Sequence, residues 1–171
     1  MTELDRPSKS NADPTASQIE GWLVGRLHDA SKAICPRYHR VQWFECDVAR
    51  ITKADYFIEY EVKVSASDLK ADFKKSNHRG NKHELLAAGD FKGPNQFWFV
   101  IPDRLWGKVA DHIPDHAGVM LCTSRWNFKR VKEAPRLHHE KVPQFAVSRI
   151  VTCMAKRYMW HIINQATKPL P

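Results

Sequence analysis

The sequence lacks the features that mark disulfide-bonded secreted chains and membrane-spanning chains. It has only four cysteines, which lie far apart and include no CxxC pair: Cys35, Cys46, Cys122 and Cys153. A small secreted scaffold carries a denser pattern, so we expect reduced thiols. No apolar run approaches the roughly 20 residues that cross a bilayer, and the polar N-terminus has no signal-peptide core. These absences predict a cytoplasmic protein with no membrane partner.

Apolar residues and positive charge are both plentiful. With 171 residues, 43% of them hydrophobic, the chain suits one domain that buries roughly 70% of its unfolded surface. We expect a mobile polar tail over residues 1–15 and a single domain over residues 16–171. The 27 Lys and Arg residues against 19 Asp and Glu residues give a net charge of +8. This excess favours an anionic partner, with nucleic acid and acidic membrane as the competing classes.

Hydrophobic periodicity predicts an α/β protein. A first helix, capped by Asp13, Thr15 or Ser17, is expected to carry Ile34 on its apolar stripe and to end before Pro36. Strands are predicted over residues 41–51, 56–64, 96–102 and 117–122, with an edge strand over 126–132. Further helices are predicted after Ser65, over residues 103–113 and after Pro143. A hairpin followed by alternating helices and strands indicates a mixed central sheet.

The predicted hairpin carries acids and a lysine opposite its apolar face. Strict alternation places Phe44, Cys46 and Val48 towards the core, and Glu45, Asp47, Glu59, Glu61 and Lys63 on the other face. If Thr52 pairs with Tyr56 across a three-residue loop, Asp47 lies directly opposite Glu61. A two-residue loop would instead pair Asp47 with Tyr60, on the wrong face. The length of the turn therefore decides whether these acids meet.

Clustered carboxylates need positive charge among them, because like charges opposite each other destabilise a sheet by up to about 1 kcal/mol per pair. Lys63 is one candidate for that charge, and a hard divalent cation with oxygen ligands is the other. A solvated sheet face without function is the alternative interpretation. The segment that follows is rich in groups that attract phosphate, which favours a site: Lys70, Lys74, Lys75, His78, Arg79, Lys82 and His83. Equally, a charged helix face is often only a solvated surface.

Asp47, the run Glu61-Val62-Lys63 and a preceding helix with Glu20 resemble the PD-(D/E)XK nuclease superfamily. The segments EVKVSASDLKADFKK, PNQFWFVIP and HIPDHAGVMLC are similar to bacterial and phage proteins of that superfamily grouped with MmcB-like DNA-repair proteins. The likeness spans about residues 17 to 125. Cys46 stands where the superfamily's name has proline.

The resemblance implies a restriction-endonuclease-like mixed sheet flanked by helices and a nuclease that hydrolyses DNA in repair, recombination or phage DNA processing. Asp47 and Glu61 would ligate Mg²⁺ or Mn²⁺, with the Val62 carbonyl as a third ligand, and Lys63 would be catalytic. Glu20 is either a further metal ligand or an ordinary exposed acid. The DNA contacts would come from the basic segment: Lys70, Lys74, Lys75, His78, Arg79 and Lys82.

Two alternatives to catalysis stay open. A non-catalytic module that keeps the nuclease fold would bind nucleic acid without cutting it, and a basic protein with a protein partner would bind no DNA. A homodimer is compatible with the sequence, which does not distinguish endonuclease from exonuclease.

Overall fold

A mixed six-stranded sheet with helices against both faces organises the chain in a computed structural model that describes residues 13–40 and 43–167. The strands are β1 (Ser31–His39), β2 (Glu45–Thr52), β3 (Phe57–Val62), β4 (Ser76–Asn77), β5 (Gly80–Asn81), β6 (Gln96–Pro102), β7 (Ala117–Ser124) and β8 (Asn127–Lys132). The α-helices are α1 (Ala16–Leu27), α2 (Ala66–Asp72), α3 (Lys82–Ala87), α4 (Trp106–Val109) and α5 (Gln144–Ala166).

The order of the main sheet is β1-β2-β3-β6-β7-β8. Strands β1, β2 and β3 form an antiparallel meander, β6 and β7 join in parallel through helical crossovers, and β8 pairs antiparallel at the far edge. The short strands β4 and β5 form a separate hairpin between α2 and α3. The predicted α/β class with a mixed sheet is confirmed, as is the edge position of β8.

Two buried clusters lie on the two faces of the sheet. On one face, Ile19 and Leu23 of α1 belong to a cluster with Val48 and Tyr60. On the other face, α5 contributes Val147 and Ile150 to a larger cluster, which also includes Phe57, Leu69, Leu86, Phe97 and Phe99. Because α2 and α3 also pack on this second face, the acids of β3 that point the same way lie beneath helices.

The first helix ends earlier than predicted. Thr15 caps α1 in a reciprocal capping box with Gln18, as one of the three proposed caps. The helix stops at Leu27, and Ile34 and Pro36 lie in β1, so their assignment to a helix and its end was wrong. Strand β1 is an edge of the sheet, where a proline without an N–H is tolerated. The buried Ala33 and Cys35 alternate with partly exposed neighbours, which is a strand pattern.

The middle of the chain contains one helix that the sequence did not predict. Asn81 accepts hydrogen bonds from the backbone N–H groups of His83 and Glu84 and thereby begins α3. The helix predicted over residues 103–113 is reduced to the single turn of α4 between two 3₁₀ turns. The helix predicted after Pro143 is confirmed as α5. Its second half is exposed and carries large apolar side chains: Tyr158, Met159, Trp160, Ile162 and Ile163.

Of the expected tail, residues 1–12 lie outside the described residues. Asp13 accepts a hydrogen bond from Arg104 Nε at 2.6 Å, and Thr15 caps α1. The described end of the segment therefore contacts the domain.

Candidate functional site

The turn between β2 and β3 sets the register of the candidate site. Thr52 N donates a hydrogen bond to Tyr56 O at 2.9 Å across a three-residue loop, as predicted. The pairs Val48–Tyr60 and Ala49–Glu59 follow from that register and bring Asp47 level with Glu61. Asp47 Oδ2 accepts the backbone N–H of Val62 at 2.8 Å. The two predicted acids are therefore neighbours.

The regular alternation predicted for β2 fails next to this contact. Cys46 packs in the cluster with Phe57, whereas Val48 packs in the cluster beneath α1, so the prediction of one shared face for Cys46 and Val48 was wrong. The ladder to β3 ends at Val48, and beyond it the Asp47 carboxylate takes the N–H of Val62. Pairing with β1 continues to Glu45, but Arg37, between the paired residues Pro36 and Tyr38, has a positive φ of 47°, which interrupts the regular strand geometry there. Glu45, predicted to join the acids, is exposed.

Glu61 lies at the centre of a buried ionic cluster, which we define as Glu59, Glu61, Lys63, Asp72, Lys75 and Lys82. Glu61 is 1% exposed. Its Oε1 contacts Lys63 Nζ at 2.9 Å and also Lys75 Nζ, and its Oε2 contacts Lys82 Nζ at 3.1 Å. Both oxygens of this carboxylate therefore already have ammonium partners.

Asp72, near the end of α2, is the second carboxylate of the ionic cluster. Its Oδ1 lies 2.9 Å from Lys63 Nζ and 2.7 Å from Lys75 Nζ. Its Oδ2 accepts a hydrogen bond from His83 Nε2 at 2.9 Å, and His83 Nδ1 lies 2.9 Å from His116 Nε2. Burial alone would raise the pKa of Asp72, but the His83 hydrogen bond and the surrounding lysines hold it well below its ordinary value. Asp72 is thus ionised at neutral pH.

Lys82 of α3 reaches the ionic cluster from the opposite side. It is fully buried, with Nζ 2.7 Å from Glu59 Oε1 and 4.9 Å from the centre of the Phe97 ring. The other oxygen of Glu59 accepts the indole N–H of Trp43 at 2.7 Å. Burial alone would lower the pKa of Lys82, but Glu59 and Glu61 raise it above its ordinary value. Burial alone would likewise lower the pKa of Lys63, but Glu61 and Asp72 raise it above its ordinary value.

The ionic cluster is balanced in charge, with three carboxylates and three ammonium groups. Burying an unpaired charge is prohibitive, and excellent geometry is needed to offset desolvation even for a pair. The sequence predicted positive charge among the acids, supplied by Lys63 or by a divalent cation, and Lys63 contacts two of them. Lys75 and Lys82 fulfil the same role.

Asp47 and Glu20 lie at the edge of the ionic cluster. Burial and the charge of Glu61 raise the pKa of Asp47 to about 6, although the Val62 N–H and Lys63 act in the opposite direction, and Glu20 adds to the rise. Glu20 is 7% exposed and accepts a hydrogen bond from Arg37 Nε at 3.1 Å. The alternative that Glu20 is an ordinary exposed acid was therefore wrong, since Glu20 is buried, is paired with Arg37 and affects the pKa of Asp47.

The carboxylate oxygens of the site are suitable ligands for a divalent cation, but most of them already contact other groups of the protein. Asp47 and Glu61 provide the hard oxygen ligands that Mg²⁺ and Mn²⁺ prefer. Both oxygens of Glu61, however, contact ammonium groups, and one oxygen of Asp47 holds the Val62 N–H. Within residues 13–40 and 43–167, no group of three His, Cys, Asp or Glu side chains is arranged to hold a metal ion. A cation therefore requires one ammonium group to leave Glu61.

The six predicted DNA contacts lie in three different environments. Lys70, Lys74 and His78 are exposed, on or just after α2. Arg79 is partly buried and pairs with Asp90 at 2.5 Å. Lys75 and Lys82 belong to the ionic cluster, and Lys82, being fully buried, does not reach the surface where a DNA backbone would lie. Its position differs from the expected one because α3 turns it inward against Glu59.

The sequence did not indicate four residues that the structure places at the candidate site: Asp72, His83 in its buried role, His116 and Trp43. A signal for α3 was present, because Asn81 precedes the run HELLAA and is a favoured N-cap residue. No sequence pattern at Asp72 or His116 indicates that they are linked through His83, since they are 44 positions apart in the chain.

Comparisons with known proteins bear on the fold alone. No family model matches the sequence, and no curated protein matches it. Among solved structures, the chain is similar to the SPO1766 protein of unknown function from Silicibacter pomeroyi, with a TM-score of 0.63 and 13% identity over 94% of this chain and 98% of that chain. This likeness supports the α/β mixed-sheet architecture.

None of the helices in the described ranges combines the length and apolar character that crossing a bilayer demands.

Proposed function

We propose that this chain is a nuclease that hydrolyses DNA phosphodiester bonds, with the reacting phosphate held at Asp47, Glu61 and Lys63. The observation that carries the proposal is the meeting of these three residues at the end of the hairpin, where Lys63 contacts Glu61 at 2.9 Å and Asp47 binds the N–H between them. The exposed Lys70, Lys74 and His78 lie on the adjoining segment and are suited to contact backbone phosphates.

The site residues have separate roles in the proposed reaction. The Lys63 ammonium stabilises negative charge that develops on the phosphate, and Asp72 holds it in position at 2.9 Å. Mg²⁺ or Mn²⁺ is the proposed cofactor, held by Asp47 and Glu61 with the Val62 carbonyl and Glu20, and it would supply a more acidic water and neutralise phosphate charge. Glu59 takes no part in binding it, because its two oxygens engage Lys82 and Trp43.

Purified protein tests the proposal on single-stranded, duplex and branched DNA, with Mg²⁺, Mn²⁺ or a chelator. Asp47→Asn keeps an acceptor for the Val62 N–H and removes the charge, so we expect cleavage to fall by about 100-fold or more. Lys63→Met is expected to have a similar effect. The matched controls are Asp111→Asn and Lys53→Met, which change an exposed acid and an exposed lysine outside the site. Circular dichroism checks that each variant is folded.

Metal-dependent cleavage that both site variants retain in full would contradict the assignment of these residues. Cleavage that persists undiminished in the chelator would contradict the proposed cofactor.

A non-catalytic DNA-binding module is the second candidate, and one observation favours it. Both Glu61 oxygens have ammonium partners, so the site is already neutral. This candidate predicts salt-sensitive DNA binding, no cleavage with any divalent cation, and unchanged binding by Asp47→Asn. Absence of cleavage from DNA that the protein demonstrably binds would favour it over the nuclease.

A further inference from the structure

The three ammonium groups around Glu61 differ in their access to solvent. The side chains of Lys63 and Lys82 are 5% and 0% exposed, whereas that of Lys75 is 38% exposed. A ligand that arrives from solvent therefore meets Lys75 first. Lys82 is fully enclosed, and only a small part of the Lys63 side chain reaches solvent.

Backbone hydrogen bonds hold the main chain at Lys75, whereas its ion-paired side chain is partly exposed. Lys75 N donates to Asp72 O at 3.0 Å, and Lys75 O accepts from Lys82 N at 2.8 Å. Movement of the ammonium group therefore needs only rotation about the four-carbon stem. A lysine ammonium is a point charge on a flexible stem with no fixed geometry to lose, which makes it suited to exchange between partners.

The ionic cluster also tolerates the departure of Lys75 better than that of Lys82. Without it, Glu61 keeps Lys63 on Oε1 and Lys82 on Oε2. Asp72 keeps Lys63 at 2.9 Å and the His83 N–H at 2.9 Å. Loss of Lys82 would instead leave Glu59 with Trp43 as its one described polar contact. Each carboxylate that contacts Lys75 thus has a second partner in place.

Exposed basic side chains flank Lys75 in the sequence. Lys74 and His78 are exposed on either side of it, and Lys70 is exposed near the end of α2. Exposed basic groups of this kind attract a phosphate chain. A phosphate held there offers the Lys75 ammonium an anionic partner in place of Glu61 and Asp72.

We propose that Lys75 is the exchangeable ammonium group of the site: in the free protein it neutralises Glu61 and Asp72, and when DNA binds it transfers to a backbone phosphate. Its departure leaves Glu61 Oε1 with Lys63 alone, so this side of the carboxylate becomes less positive and would accept a divalent cation. DNA and the cation thereby favour each other's binding. This inference rests on the proposed function for the identity of the polyanion and the cation.

Binding measurements test the exchange without reference to cleavage. Mn²⁺ is titrated by electron paramagnetic resonance into the wild-type chain, Lys75→Met and Lys53→Met, each with and without a short single-stranded oligonucleotide. Without DNA, Lys75→Met is expected to bind Mn²⁺ about fivefold more tightly than the wild type, because a neighbouring positive charge is removed. Lys53→Met loses the same charge in the β2–β3 turn and is expected to match the wild type.

The oligonucleotide separates exchange from a simple charge effect. It is expected to tighten Mn²⁺ binding in the wild type and in Lys53→Met, and to add much less in Lys75→Met, because binding linkage is reciprocal. The salt dependence of oligonucleotide binding should also lose about 0.7 from its logarithmic slope in Lys75→Met, the value for one single-strand phosphate contact.

Equal Mn²⁺ affinity of Lys75→Met and the wild type would overturn the inference, as would an oligonucleotide effect of the same size in both. A protein that cuts no DNA but shows the expected Mn²⁺ and oligonucleotide coupling would contradict the nuclease function and leave the exchange of Lys75 supported. If the wild type and Lys75→Met cut DNA equally well and neither shows coupling between Mn²⁺ and the oligonucleotide, the nuclease function is supported and the exchange of Lys75 is contradicted.

Discussion

Replacement of Lys82 with methionine is expected to destabilise the fold severely, because it removes one partner from a buried ion pair. Lys82 Nζ is fully buried, 2.7 Å from Glu59 Oε1 and 3.1 Å from Glu61 Oε2. Methionine fills much of the same volume, so the cost comes from charge rather than from a cavity. Breaking one side of a buried pair typically costs about 3 to 5 kcal/mol. Such a loss is a large part of the 5 to 15 kcal/mol that is typical of a folded domain.

A second substitution distinguishes lost charge from lost packing. Glu59→Gln removes the carboxylate charge and keeps a carbonyl oxygen that can accept the Trp43 N–H, which Glu59 now accepts at 2.7 Å. In the double variant no unpaired charge remains at Glu59, so Lys82→Met should cost about 2 kcal/mol less than it does alone. This coupling energy lies within the range measured for residues in direct contact.

Urea denaturation followed by circular dichroism measures the free energy of unfolding of all four proteins in the cycle. Lys53→Met is the matched control, since that lysine is exposed and should change stability by no more than about 0.5 kcal/mol. A loss of less than about 1 kcal/mol for Lys82→Met would refute the reasoning. Strict additivity in the double variant would also refute it, because it would mean that Lys82 and Glu59 do not interact.

Two further predictions concern His116 and the glycines of α1. Burial, with the electrostatic effects of His83 and Lys132, lowers the pKa of His116 to about 4. Because this pKa lies below the unfolded value, the contribution of His116 to stability is complete above about pH 6.5 and is lost as the pH falls towards 4. The expected loss is about 1 kcal/mol after allowance for solvent screening. Urea titrations at pH 7 and pH 4.5 should show a smaller difference in His116→Gln, and an identical difference would contradict the assignment. Gly21→Ala should stabilise by about 0.5 to 1 kcal/mol, because a Cβ there meets no atom within 4 Å, whereas Gly25→Ala should destabilise, because its Cβ would collide with the Trp126 ring. Thermal unfolding of the two variants gives both signs, and stabilisation by Gly25→Ala would show that Trp126 moves freely.

Turn length allowed the sequence to predict the meeting of Asp47 and Glu61. In an antiparallel hairpin the register follows from the number of loop residues, and the Thr52–Tyr56 hydrogen bond confirms the three-residue loop. The prediction needed no knowledge of side-chain packing. For Cys46 the same alternation rule failed, because the ladder to β3 ends at Val48 and Arg37 of the neighbouring strand β1 has a positive φ of 47°. The alternation rule holds only where the backbones of the paired strands are regular.

The partners of Glu61 could not be predicted in the same way. The sequence indicated that Lys75 and Lys82 are surface lysines in a polar segment. Only the packing of α3 places Lys82 in contact with Glu59 and Glu61. The helix itself carried a signal in Asn81, but the face that it buries depends on β3 and β6, which are distant in sequence. Strand β1 was missed for a related reason. Ile34 fits a helical stripe, and Pro36 terminates helices as readily as it occupies an edge strand.

The balance of the ionic cluster bears on which partner the protein binds. Its three lysines are cancelled by Glu59, Glu61 and Asp72, so the chain's entire net charge of +8 resides outside it. Attraction of a polyanion to the surface is therefore independent of the acids that would act on it. On the proposed nuclease function, Asp47→Asn is expected to leave the salt dependence of DNA binding intact while it removes cleavage. Lys75 is the exception, because it alone belongs to the cluster and reaches solvent, and its substitution should alter both DNA binding and the state of Glu61.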